Sequence, residues 1–222
     1  MGLESWARKW SPPENVETVG QKIKNFISPP PPVRSQIIQA VYRIQGQISK
    51  LDYSLAKLQS YDKMLFEKVV NSLVEGDKSK ATMYANELAE VRKMAKVIIT
   101  VRYALERVRL RLETALVFGD VNATLAPAIV ALKQVAGHLK GMMPDVFTEL
   151  MEVDESLQAA MMQMTAHVPV AFDNAFVSEE ANKILKDASI VAEQRLKEHF
   201  PDLPSFEKAA QASEKASEGN GK

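Results

Sequence analysis

No cysteine occurs among the 222 residues. Its absence excludes a disulfide framework, a Cys-ligated zinc site and a thiol nucleophile, and it suits an intracellular compartment. Proline and glycine are nearly missing from the middle of the chain. Residues 33–75 and 77–118 hold no proline and, apart from Gly46, no glycine. Stretches that long without a breaker are rare in a compact domain. Aromatic residues make up only 7% of a chain that is 46% hydrophobic, a balance that fits helices better than sheets. No apolar run approaches the ~18 residues of a membrane span. The longest, residues 125–132 (LAPAIVAL), is short and contains Pro127. The first residues show no basic region followed by an apolar one, so no signal peptide is expected.

Catalytic signatures are also missing. His138, His167 and His199 lie far apart in the sequence, and none has a partner at metal-ligand spacing. There is no phosphate loop, no GxGxxG and no Gly-x-Ser-x-Gly elbow. Carboxylate pairs such as Asp154 and Glu155 fall on polar helix faces, where solvation is the default. The expectation is a protein that is not an enzyme and uses no cofactor or metal, so that any chemical energy it uses comes from a partner.

What is present is a pair of very long helices joined at Gly76. At about 1.5 Å rise per residue each reaches roughly 60 Å. Gly76 is a natural left-handed stop and hinge, and Asp77 or Ser79 can cap the next helix. So short a link allows only an antiparallel hairpin. In the first helix Ile37, Val41, Ile44, Ile48, Leu51, Leu55 and Leu58 step by four and three, the coiled-coil repeat. Asp62 interrupts this seam, and Leu65 and Val69 resume it. In the second helix Val91, Met94, Ile98, Val101, Leu105, Val108, Leu112 and Ala115 keep the same rhythm. Tyr42, Tyr61, Phe66, Val97, Ile99 and Tyr103 are apolar off the seam, an excess that calls for further helices or other copies of the chain.

The flanking segments differ in character. Residues 1–10 place Leu3, Trp6 and Trp10 on one helical face, with Arg8 and Lys9 beside it. Both tryptophans of the protein lie here, which points to a short amphipathic helix at a lipid–water interface. The alternatives are packing back on the hairpin, or a disordered tail. Residues 11–32 form a Pro-rich linker ending in four prolines. Residues 119–200 predict shorter helices over about 125–140 and 145–166, and a last one begun by Ser178. Residues 201–222 are expected to be a disordered tail. The fold class is therefore all-α: an N-terminal amphipathic helix, a long antiparallel helical hairpin over 33–118, and shorter helices after it.

The formal net charge of zero hides an asymmetry. Residues 1–118 hold 19 Lys and Arg against 12 Asp and Glu, and residues 119–222 hold 9 against 16, so the halves carry +7 and −7. A basic front half can bind anionic lipid, nucleic acid or the acidic half of its own chain, and the last would amount to autoinhibition. A merely solubilising role for the charge stands beside these. Arg102, Arg107, Arg109 and Arg111 crowd one stretch and are candidates for contact with a neighbouring subunit or with lipid phosphates.

The stretch from about Arg43 to Val121, with its Glu75-Gly76-Asp77 hinge, its YANELAEVRKM second-helix start and an acidic half after it, resembles the ESCRT-III core hairpin. It is most similar to archaeal cell-division proteins of the CdvB group, and to their shorter paralogues. The resemblance implies a subunit that switches from a closed monomer to a homo-polymer on anionic membrane lipids. It also implies constriction or scission of membrane necks in cell division. With these come related ESCRT-III subunits as partners, a AAA+ ATPase with a MIT domain that extracts subunits, and a cytoplasmic place on the inner face of the plasma membrane at the division site. The family's insertion helix maps onto Leu3, Trp6 and Trp10, and its regulatory helices onto the acidic half. Its ATPase-recruiting motifs map onto Arg195 and Leu196, where Ile190 and Val191 depart from the family spacing, and faintly onto Pro201, Leu203 and Pro204. A continuous helix over 77–140 would mark the open form.

Two other readings fit the sequence: a passive coiled-coil scaffold or BAR-like curvature-sensing dimer, and a nucleic-acid binder using the arginines around Arg107. The near-neutral pI of about 6.9 and the lack of a recognition module speak against nucleic acid.

Overall fold

The computed structural model describes residues 32–118, 121–165 and 174–200, and every element among them is helical. The chain divides into two units, Met1–Pro32 and Val33–Lys222. Of the first, only Pro32 is among the described residues. The expected amphipathic helix with Leu3, Trp6, Arg8, Lys9 and Trp10 therefore lies outside them, as do the linker before Pro32 and the tail with Pro201, Leu203 and Pro204.

Helix α1 spans Val33–Val74 and α2 spans Lys78–Phe118. The turn between them is made by its own sequence. Gly76 takes φ +76°, which only glycine adopts without strain. The amide of Asp77 donates to the Ser72 carbonyl at 2.9 Å, and that of Gly76 to the Leu73 carbonyl at 3.1 Å. These two bonds are a Schellman ending. Asp77 then caps α2: its Oδ1 accepts the Lys80 amide at 3.0 Å. That bond is the main reason its carboxyl titrates below the usual aspartate range.

Three more helices complete the fold: α3, Val121–Gly137; α4, Pro144–Thr165; and α5, Asn174–His199. α3 packs against α2, α4 and α5; α4 also packs against α1, and α5 against α2. The apolar run at 125–132 is thus the core of the back half. Leu125, Ala128, Ala131, Leu132, Val135 and Ala136 are all buried, as expected of a helix that is apolar on every side. Pro127 sits inside α3, where it forfeits one backbone hydrogen bond. The cost of roughly 3 kcal/mol is offset by burying several aliphatic side chains at about 1.5–3 kcal/mol each.

Two boundaries differ from the sequence expectation. α3 starts at Val121, upstream of 125, and ends at Gly137. α5 starts at Asn174, so Ser178 is not its cap. Val177 and Ala181, one turn apart, face the core, and their burial extends the helix a turn upstream. The long hairpin also finds more of its burial within the chain than expected. Ile37, Ile44, Ile48, Leu51, Ile98, Leu105 and Leu112 join α3, α4 and α5 in one cluster. Toward the turn a smaller cluster of Leu65, Leu88 and Val91 involves α1 and α2 alone. α2 and α3 are separate helices packed on each other.

Candidate functional site

The functional geometry lies in two faces of the hairpin: one covered by the acidic half, the other open.

On the covered face, helical spacing sets a ladder of basic side chains against acidic ones from α4 and α5. Along α2, Lys96 Nζ lies 2.9 Å from Glu193, Arg107 Nη1 2.8 Å from Asp187, and Arg111 pairs with Glu180. As α2 runs from 96 to 111, its α5 partners run from 193 to 180, so the two helices are antiparallel. Arg43 on α1 donates to both Glu149 (3.1 Å) and Glu152 on α4. The hydrogen bonds to Glu152 and then Glu149 raise the Arg43 pKa above its usual value. The Arg111 bond lowers Glu180, and the Lys96 bond lowers Glu193, each below the ordinary glutamate range. Beneath this ladder Ala95, Ile99, Ala192 and Phe200 form an apolar patch, with Leu196 and Tyr103 against it. Off-seam Ile99 is therefore covered by α5.

Each of the four clustered arginines has an acidic partner in the same chain. Arg107 and Arg111 take theirs from α5. Arg102 binds Asp52 at 2.6 Å and Glu106 at 3.0 Å, and Arg109 binds Glu113 at 2.6 Å. Burial acts to lower Arg102, but the Asp52 bond and the charges of Asp52 and Glu106 outweigh it, so its pKa is raised. Arg195 on α5 donates to the Tyr103 hydroxyl at 3.1 Å and to Glu198 at 2.9 Å. The Tyr103 bond is the main reason its pKa rises. Leu196 is half-buried under the same helix.

The open face runs along α1. Tyr42, Gly46, Lys50, Tyr53, Lys57, Tyr61, Met64 and Lys68 recur at steps of three and four, and all are exposed. Tyr42, Tyr53 and Tyr61 are 74%, 65% and 59% exposed. The line holds three lysines and no carboxylate, and at about 1.5 Å per residue it runs for roughly 40 Å. The Lys57 ammonium sits 4.5 Å from the Tyr53 ring centroid, within cation–π distance. Three large exposed tyrosines interspersed with lysines along one helix face make this a candidate interaction surface. Sequence reasoning placed Tyr42 and Tyr61 off the seam but did not connect them with the lysines. The signal was there, in the 3.6-residue period of the face opposite the seam.

No cluster able to hold a metal ion occurs among the described residues, and none of their helices is long and apolar enough to cross a membrane.

Over 174 residues the chain is 44% identical to cell division protein B1 of Sulfolobus acidocaldarius, a match spanning 78% of this chain and 81% of that one. It is 33% identical over 168 residues to cell division protein B of the same organism, covering 76% of this chain and 64% of the relative. Cell division protein B3 is 26% identical over 155 residues, covering 68% and 87%. No family model matches the chain, and no solved structure matches it.

Proposed function

The chain belongs to the CdvB-type ESCRT-III family of archaeal cell-division proteins, and from that premise we propose that it is a cell-division subunit that polymerises on membranes. In this reading the structure described above is its resting form. The acidic back half occupies the basic cross-seam residues Arg43, Lys96, Arg107 and Arg111. Release of α4 and α5 frees them, neighbouring hairpins assemble side by side, and the filament constricts the membrane at the division site. Membrane attachment is assigned to Leu3, Trp6 and Trp10, flanked by Arg8 and Lys9, and partners to further copies, related subunits and anionic lipid. Recycling by a AAA+ ATPase with a MIT domain belongs to the same reading, as does the absence of a catalytic centre in this protein. The observation that carries it is the ladder from Lys96–Glu193 to Arg111–Glu180, which joins the two oppositely charged halves.

The exposed α1 row supports a surface that stays available while the back half is closed. Electron microscopy of the purified chain with anionic vesicles tests the reading. Filaments or coated tubules are expected, and they should increase when Glu180→Lys and Asp187→Lys on α5 weaken the closed form while leaving Arg107 and Arg111 in place. Uniform small particles and bare vesicles for both proteins would instead favour the fixed scaffold. A separate vesicle-binding assay of Leu3→Ser with Trp6→Ser and Trp10→Ser should lose membrane binding; retained binding would remove residues 1–10 from the mechanism.

A further inference from the structure

A cleft of about 580 Å³ opens between the middle of α1 and the start of α4. Ser49, Lys50 and Tyr53 form its α1 wall, and Met142, Met143 and Asp145 stand on the other side. Lys50 and Tyr53 also belong to the open row of α1, so the cleft interrupts that row near its middle. We propose that row and cleft together bind single-stranded nucleic acid, with one base stacked on Tyr53 in the cleft and the phosphates following the lysines. This binding is separate from polymerisation and from membrane attachment.

Charge selects an anionic partner. The row carries Lys50, Lys57 and Lys68 without a carboxylate, and none of the three has an ion-pair partner among the described residues. The arginines of α2, by contrast, are neutralised by Asp52, Glu106, Glu113, Glu180 and Asp187. The near-neutral pI of about 6.9 sums two opposite halves and does not describe this face.

Side-chain type then narrows the choice. Tyr42, Tyr53 and Tyr61 stand between the lysines, all well exposed. At about 1.5 Å per residue they are spaced roughly 16 and 12 Å along the helix. Aromatic rings alternating with ammonium groups hold a single strand, because bases stack on the rings while phosphates pair with the charges. The Lys57 ammonium, 4.5 Å from the Tyr53 ring centroid, lies close to where a base stacked on that ring carries its phosphate.

The cleft distinguishes a strand from a lipid surface. A bilayer is a plane and can lie along the row, but it does not enter a recess between two helices. The recess has the volume of a small-ligand site, ample for a nucleobase. Met142 and Met143 are half-buried and offer polarizable thioethers to an aromatic ring. The Ser49 hydroxyl and the Asp145 carboxylate supply polar contacts for the edge of a base. A duplex keeps its bases inside the stack and cannot present one. Because one wall is α1 and the other the start of α4, the cleft exists only while α4 rests on the hairpin.

The test is fluorescence anisotropy of the full chain with labelled oligo(dT), at low ionic strength and at concentrations where the protein is monomeric. Binding is expected. Tyr53→Ala should weaken it by roughly tenfold, the effect of losing one stacked base, and Tyr53→Phe, which keeps the ring, should not. Lys50→Gln and Lys57→Gln should each flatten the dependence of log affinity on log salt by about 0.7, one phosphate contact apiece. The three positions are exposed, so helical content measured alongside should not change. Absence of binding, binding that Tyr53→Ala leaves intact, or equal binding of the oligo(dA)–oligo(dT) duplex would overturn the proposal. Anionic vesicles that bind through Lys50 and Tyr53 when oligo(dT) does not would overturn it too, and would assign the row to a lipid surface.

Discussion

The Arg92 Nε lies 2.6 Å from Oδ1 of Asp62, and its Nη2 lies 3.3 Å from Oδ2. Asp62 is the residue that breaks the apolar seam of α1, and it is only 4% exposed. The two-point pairing across the hairpin explains how a carboxylate is accommodated there: both its oxygens face a planar guanidinium that holds the matching geometry. A pair of this kind fixes register, because sliding the helices past each other would leave the buried Asp62 carboxylate without the half-buried Arg92.

Arg92→Ala should therefore destabilise the hairpin by about 3–5 kcal/mol, since it strands Asp62. The double substitution Asp62→Leu with Arg92→Met should regain most of that loss, because it restores a continuous apolar seam. Denaturant unfolding of the single and double variants checks both outcomes.

The turn makes a second prediction. At φ +76° any side chain at position 76 is strained, although the space around the glycine is open. Gly76→Ala should cost about 1 kcal/mol by strain alone. Gly46, in the middle of α1 and without neighbours within 4 Å of an added Cβ, should respond oppositely: Gly46→Ala should stabilise by about 0.5–1 kcal/mol. Thermal unfolding of the two variants distinguishes the positions.

The ladder between α2 and α5 depends on pH. Glu180 and Glu193 have folded pKa values depressed by Arg111 and Lys96. Their contribution is fully present above the ordinary glutamate pKa and is lost as the pH falls through the depressed values. Hydrogen exchange in α5 should therefore accelerate relative to α1 at acidic pH, below the usual glutamate range. Because the pairs are partly exposed, salt should weaken them as well. Acceleration confined to α1, or none, would contradict this.

Asp154 on α4 has the opposite sign. It is 2% exposed, its Oδ2 accepts from Gln158 Nε2 at 2.6 Å, and its Oδ1 has no hydrogen-bond partner among the described residues. Burial raises its pKa, against the opposing Gln158 bond and the Lys133 charge. The folded state thus holds this proton more tightly than the unfolded chain. The stability it brings is complete below the ordinary aspartate pKa and is lost as the pH rises through the raised value. Asp154→Asn should stabilise the protein by on the order of 1 kcal/mol at neutral pH. The gain should vanish in acid, as read from unfolding curves at both pH values.

The sequence alone determined the local structure. The breaker-free stretches dictated two long helices, the heptad steps dictated which faces meet, and Glu75-Gly76-Asp77 held the whole turn chemistry. These are short-range properties: helical period, φ preference and capping act within a few residues and are legible in order. The +7 and −7 halves also announced that the back half and the hairpin have reason to meet. Tertiary structure decided the rest. It gave Arg107 and Arg111 partners on α5 but left Arg102 and Arg109 to the hairpin itself. It turned the seam-breaking Asp62 into a buried ion pair, and it placed the apolar run with Pro127 in the middle of the back half. It also left Tyr42, Tyr53 and Tyr61 in the open. Periodicity says that a face exists; which face is covered, and by what, depends on helices far apart in the chain coming to rest against one another.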